Sequence, residues 1–281
     1  MVKKVTFWLQ LCMAGILDIE ILNLTNKKKN RKRKNEFENL HKNGSQSKNN
    51  KINQQTIKQI KASIQKLSVN KAQLTKMIQN KNKQIIETSV ADSYEVRKLT
   101  NWEEVKKGKY LTLSTTKYQN YELKLLKLEG TIPASYEKVV SYFFENLEGQ
   151  KNSREMCDQL KVIEQIDADT QVLLFKTKGK FVVSSREMLG IQHRRKVNPN
   201  EYLITRGHLD EHPAAPKDAD TVRAEGKVYS IFISKESDNS AKFQAFMLMD
   251  PKGSIPIMVF NLMIEEQLTG FELDINNILS K

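Results

Sequence analysis

Ala241-Lys-Phe-Gln-Ala-Phe-Met-Leu-Met-Asp250 runs directly into Pro251-Lys-Gly-Ser-Ile-Pro256. In an extended chain successive side chains point to opposite faces, so Phe243, Ala245, Met247 and Met249 share one face. Gln244, Phe246 and Leu248 share the other. The Pro/Gly-rich turn stops the strand. A helix follows from Ile257 to Leu279, with Ile264, Leu268, Phe271, Ile275 and Ile278 at heptad-like spacing. Gly270 weakens it locally by up to about 1 kcal/mol relative to Ala.

Upstream, the same period-two pattern recurs. Tyr121–Leu128 reads as a strand, and Pro133 and Ser135 then open a helix over Tyr136–Leu147, capped by Ser135 with Glu137 in its first turn. Further strands are predicted at Lys161–Ile166, Gln171–Thr177, Lys180–Ser184, Met188–Val197, Glu201–Leu209 and Thr221–Ser234. Short turns between them favour an antiparallel meander. One longer connection, Asp210–Asp220 with two prolines, reads as a surface Ω-type loop. The order is strand, helix, meander, helix: an α+β domain whose sheet must bury one face. If the sheet curls around the last helix, large apolar residues on both enclose a cavity.

Three pieces give this order a family likeness. They are Ser185-Arg186-Glu187, Thr221-Val222-Arg223-Ala224-Glu225, and Met249-Asp-Pro-Lys-Gly-Ser-Ile-Pro256 before the terminal helix. Together they resemble the START domain, the steroidogenic acute regulatory protein-related lipid-transfer domain, over roughly Trp102–Leu279. The resemblance implies a helix-grip fold: a curved antiparallel sheet around a long C-terminal helix, enclosing a lipid cavity gated by loop 210–220 and that helix. One departure stands out. Where family members often carry Trp, this chain has Cys157.

Within that frame the expected lipid contacts are Phe175, Met188, Phe243, Ala245, Met247 and Met249 on strands, and Leu262 and Leu268 on the terminal helix. Methionines adapt to irregular apolar ligands. Some sterol-binding members place a buried acid and a buried Arg on neighbouring strands. Those places fall near Phe175 and Gln192, and neither is charged, so a sterol held by such a pair is not supported. Gln192 retains the capacity to hydrogen-bond a hydroxyl or amide. Arg186 and Arg223 remain as buried-Arg candidates for a phosphate, against structural pairing with Asp or Glu.

The charge is uneven. The 281 residues carry 46 Lys+Arg and 33 Asp+Glu, a net +13. Residues 1–100 hold 21 basic and 7 acidic side chains, and residues 101–281 hold 25 and 26. The division expected is a basic, largely non-globular extension over 1–100 and a START-like domain over 101–281. The near-neutral domain lacks the electrostatic basis for binding nucleic acid. In the extension, residues 5–24 are mostly apolar but too short for a spanning helix once Asp18 and Glu20 intervene. Residues 26–34 are polybasic, and Lys27, Lys28, Lys29, Arg31, Lys32, Arg33 and Lys34 are the expected contacts to an anionic membrane. A helix is predicted over 56–86 from Ile57, Ile60, Ile64, Leu67, Leu74, Ile78 and Ile85, with Val90–Thr100 as a linker or short helix.

Two distant cysteines, Cys12 and Cys157, and four histidines without ligand spacing give neither a disulfide framework nor a metal motif. No cofactor is expected. No nucleophile elbow or paired carboxylates stand out, and His208 and His212 lack an identified partner. The leading expectation is a non-enzymatic lipid-binding or transfer protein, cytoplasmic and peripheral to membranes. A lipid-responsive regulator routed to the nucleus or to nucleic acid by its basic arm is the alternative. A hydrolase such as a thioesterase on the same fold is the second alternative. Residues 1–17 also have the layout of a signal peptide.

Overall fold

The computed structural model describes residues 46–179, 183–253, 255 and 257–280; side chains at 46–57, 60, 64, 66, 67, 71 and 257–262 are not described. The apolar segment 5–24 and the polybasic cluster 26–34 lie outside the described residues. The chain divides into two units, 1–76 and 77–281. Helix α1 (Gln46–Arg97) begins in the first and ends in the second.

Three strands follow, β1 (Glu103–Lys107), β2 (Leu111–Thr116) and β3 (Leu125–Ile132), then α2 (Tyr136–Glu145) and the short α3 (Leu147–Asn152). Next come β4 (Cys157–Asp167), β5 (Thr170–Thr177), β6 (Arg186–Asn198), β7 (Glu201–His208), β8 (Val222–Arg223), β9 (Glu225–Ser237) and β10 (Ser240–Asp250). Helix α4 (Ile257–Leu279) closes the order. The strands run β1-β2-β3-β10-β9-β7-β6-β5-β4 across the sheet, antiparallel at each step. The two-residue β8 pairs in parallel with the start of β6. This is the α+β arrangement expected from the element order, with the helix-grip fold that the family resemblance implies.

Register decides what each face carries. Leu126 pairs with Met247, and Met247 with Tyr229; Leu128 pairs with Ala245, and Ala245 with Ile231. These residues share the face that packs on α2 and α4, where Phe143, Phe243 and Phe271 form a ring cluster with centroids 5.1 to 5.8 Å apart. Ser135 caps α2 by accepting from the Lys138 amide, which satisfies one of the first-turn donors. The opposite face receives the end of α1. Val90 and Val96 pack with Leu203, Phe232 and Phe246. Beside them the Ser230 hydroxyl donates to Ser93 Oγ at 2.7 Å, and Arg97 pairs with Glu201 at 2.7 Å.

Several elements differ from the sequence expectation. The predicted strand Tyr121–Leu128 sits later, at Leu125–Ile132, and β1 and β2 precede it. All five residues of β1 are exposed, so no alternation marks it. Thr221–Ser234 is not one strand, because the chain turns at Ala224, whose amide donates to Glu187 O. The helix predicted over 56–86 runs on to Arg97, into the stretch expected as a linker or short helix. At the turn after β10, the Asp250 carboxylate accepts from the Lys252 amide at 2.9 Å, and Gly253 takes φ 69°, a left-handed conformation that favours glycine. Of the strand predicted at Lys180–Ser184, residues 180–182 lie outside the described residues. Among the described residues, no helix is long and apolar enough to cross a membrane.

Candidate functional site

Between the inner sheet face and α4 lies a cavity of about 350 Å³. Its wall takes Leu173 and Phe175 from β5, Met188 and Gly190 from β6, Val228 and Tyr229 from β9, and Met247 and Met249 from β10. Met263, Ile264 and Phe271 close it from α4. Glu155, Glu266, Thr269 and Leu273 also border it and are exposed, so they mark its rim. The volume falls at the small end of ligand cavities, roughly 300–1,000 Å³.

Part of the wall's polarity comes from β7, beside that of Gln150, Ser153 and Arg154. Leu203, Thr205 and Gly207 face α1, while Ile204, Arg206 and His208 face inward. Arg206 Nη2 donates to Gln192 Oε1 at 2.6 Å, and its guanidinium lies 4.2 Å from the Tyr229 ring centroid. Gly190 leaves room for this side chain: a Cβ there would stand 2.9 Å from Arg206 Cγ. Arg206 Nε is buried without a hydrogen-bond partner among the described residues, as is His208 Nδ1. Burial pulls the Arg206 pKa down; Tyr229 opposes that pull and the charge of Arg154 adds to it. Guanidinium nonetheless stays protonated in proteins.

A second buried cluster anchors α4. Arg154 pairs with Asp274 at 2.8 Å, and the Tyr142 hydroxyl donates to the other oxygen of that carboxylate at 2.9 Å. Asn277 donates to Ser153 Oγ at 3.0 Å. Burial pushes the Asp274 carboxyl upward against the pull of Arg154. Burial, with the Asp274 charge, pushes the Tyr142 phenol up to about 12. Arg154 therefore has its counter-ion, and Arg206 has none among the described residues.

The residues expected at the site fall into distinct places. Phe175, Met188, Met247 and Met249 line the cavity. Phe243, Ala245 and Leu268 lie in the packed core beside α2 and α4. Gln192 is fully buried behind the wall, where it holds Arg206 and donates to Phe144 O at 3.3 Å. Arg186 donates to Pro251 O and Lys252 O, tying β6 to the turn before α4. Arg223 pairs with Glu187 at 3.0 Å. The side chain of Leu262, like the basic cluster from Lys27 to Lys34, lies outside the description. Loop 210–220 contributes no residue to the wall; its Ala215 packs with Leu209 against Val172, Leu174, Leu189 and Ile191.

Arg206 was not singled out by sequence reasoning. A signal existed: alternation along β7 puts Arg206 and His208 on the same face as Ile204, a charge on an otherwise apolar side. Among the described residues no cluster of His, Cys, Asp and Glu is arranged to hold a metal.

A family model described as START domain matches residues 88–271. Among solved structures the chain is similar to human StAR-related lipid transfer protein 5, at 17% identity over 72% of this chain and 98% of that one, with a TM-score of 0.64. It is also similar to human STARD10, at 16% identity over 67% of this chain and 79% of that one, TM-score 0.58. A STAR-related lipid transfer protein fragment from Xanthomonas axonopodis matches at 14% identity over 64% of this chain and 99% of that one, TM-score 0.55. At these identities the likeness to solved structures is one of fold. No curated protein matches the sequence.

Proposed function

The chain belongs to the START domain family, and from that premise we propose that it carries one lipid in its internal cavity and transfers it between membranes without chemical change. The observation that supports this reading is the cavity itself, walled by leucine, methionine and phenylalanine from five sheet strands and α4. Burying a lipid chain stabilises by about 0.8 kcal/mol per CH₂. A bilayer does the same, so cavity and membrane nearly cancel and selectivity rests on the few polar groups of the wall.

Binding rather than catalysis fits the wall's chemistry. Burial pushes the Cys157 thiol up, away from the thiolate that nucleophilic attack needs. Ser153 Oγ is engaged with Gly149 O and Asn277. The opening step is assigned to α4, whose Glu266, Thr269 and Leu273 stand at the rim. Loop 210–220 then acts from the opposite sheet face, as support rather than lid. The basic cluster from Lys27 to Lys34 holds the protein at an anionic membrane, at about 1 kcal/mol per basic residue near the surface.

Lipid extracted from the purified full chain and identified by mass spectrometry, together with movement of fluorescent lipids between vesicles, tests this. One lipid per chain and protein-dependent transfer are expected. A protein that is empty and takes up no lipid from vesicles would overturn the reading.

A further inference from the structure

We infer that the lipid held by this cavity is an acidic amphiphile, its anionic group, carboxylate or phosphate, seated on Arg206 with His208 beside it. The inference rests on the lipid-binding reading above and deepens it. Arg206 brings a full positive charge to a wall that also holds Leu, Met, Phe and Val, the paired Arg154, and Glu155 and Glu266 at its exposed rim. Its partners are neutral: the Gln192 amide at 2.6 Å and the face of the Tyr229 ring at 4.2 Å. Among the described residues no carboxylate pairs with it, and its buried Nε–H has no acceptor. Arg154, whose charge acts on Arg206, is already neutralised by Asp274. The cluster as a whole is therefore left with one uncompensated positive charge.

A buried charge without a partner is strongly unfavourable, and the ligand is what occupies the space next to this one. Two residues along β7 on the same face, His208 Nδ1 is buried and unpaired as well. Its Nε2 faces Asp210 Oδ1 at 3.3 Å. With the imidazole proton on Nε2, Nδ1 is an acceptor. The wall then offers a charged donor beside an acceptor: a phosphate monoester monoanion meets both, through its P–O⁻ and its P–OH, and a carboxylate meets the donor. A neutral alcohol satisfies both hydrogen bonds and leaves the charge unmatched. That difference sets the expected preference, since charge-assisted hydrogen bonds are roughly twice as strong as neutral ones.

Competition binding to the full chain, with hexadecanoate, hexadecyl phosphate and hexadecanol displacing a fluorescent fatty probe, decides the matter. The acids are expected to bind about tenfold or more tighter than the alcohol of the same chain length. The two acid arms separate a carboxylate site from a phosphate site. Arg206→Met is expected to abolish the preference, so that acids and alcohol bind alike, and Arg206→Lys to retain part of it. Equal binding of acid and alcohol by the native chain, which needs no variant, would overturn the inference, as would a preference undiminished in a folded Arg206→Met protein. Failure of all three amphiphiles and of vesicle lipids to bind would instead sink the lipid-binding reading.

Discussion

Asp274 shows how much a single buried carboxylate can hold. Its side chain is fully buried on α4 and accepts from both Arg154 and Tyr142, which come from the link after α3 and from α2. Asp274→Asn keeps the shape but removes the charge, leaving Arg154 uncompensated. Breaking a buried pair from one side costs about 3–5 kcal/mol, so the urea midpoint should fall accordingly. Replacing both partners, Arg154→Met with Asp274→Leu, should recover most of the loss. A single-mutant loss below about 1 kcal/mol would mean that the pair is solvated. At this scale alternation puts Phe243, Ala245, Met247 and Met249 on one face by counting, of which Met247 and Met249 border the cavity and Phe243 and Ala245 lie in the core. The pairing of Asp274 with Arg154, 120 residues apart, was hidden, because no local pattern links one turn of a helix to a loop so distant in the chain.

The end of α1 behaves as part of the sheet's own packing. Val96 is completely buried and Val90 nearly so, against Leu203, Phe232 and Phe246 on the outer sheet face. Val96→Glu places a carboxylate there without a designed partner, and should lower stability by roughly 3 kcal/mol or more in chemical denaturation. Val69→Glu, earlier on the same helix at an exposed position, should change it by no more than about 0.5 kcal/mol. Equal effects would mean that the helix end does not belong to the domain. Periodicity detected the middle of α1 and stopped short of its docked end. The reason is physical: Ser93 is buried there as a hydroxyl partner of Ser230 and Thr205, and a buried polar residue interrupts an apolar stripe. β1 was missed for the opposite reason, since an exposed edge strand of Glu, Val and Lys needs only a neighbour's backbone to form.

Across the whole molecule, charge and packing divide at nearly the same place. Residues 1–76 carry 17 basic and 4 acidic side chains, and residues 77–281 carry 29 of each, so the net +13 belongs entirely to the first unit. Deleting residues 1–76 should leave a cooperatively folding, lipid-binding domain and abolish salt-sensitive binding to anionic vesicles. Deleting residues 1–100 should cost folding as well, because it uncovers Phe232 and Phe246. Circular dichroism melts and vesicle co-sedimentation across a salt series check both; vesicle binding indifferent to salt and to either deletion would refute the division of labour. Element order, the Asp250–Pro256 turn, the charge split and the family likeness were all carried by residues close together in the chain, where alternation, turn chemistry and composition act. Only the tertiary structure showed that Arg206 stands in the cavity wall without a counter-ion among the described residues. The field around a side chain is set by whatever other strands and helices bring beside it, here Gln192 from β6 and Tyr229 from β9.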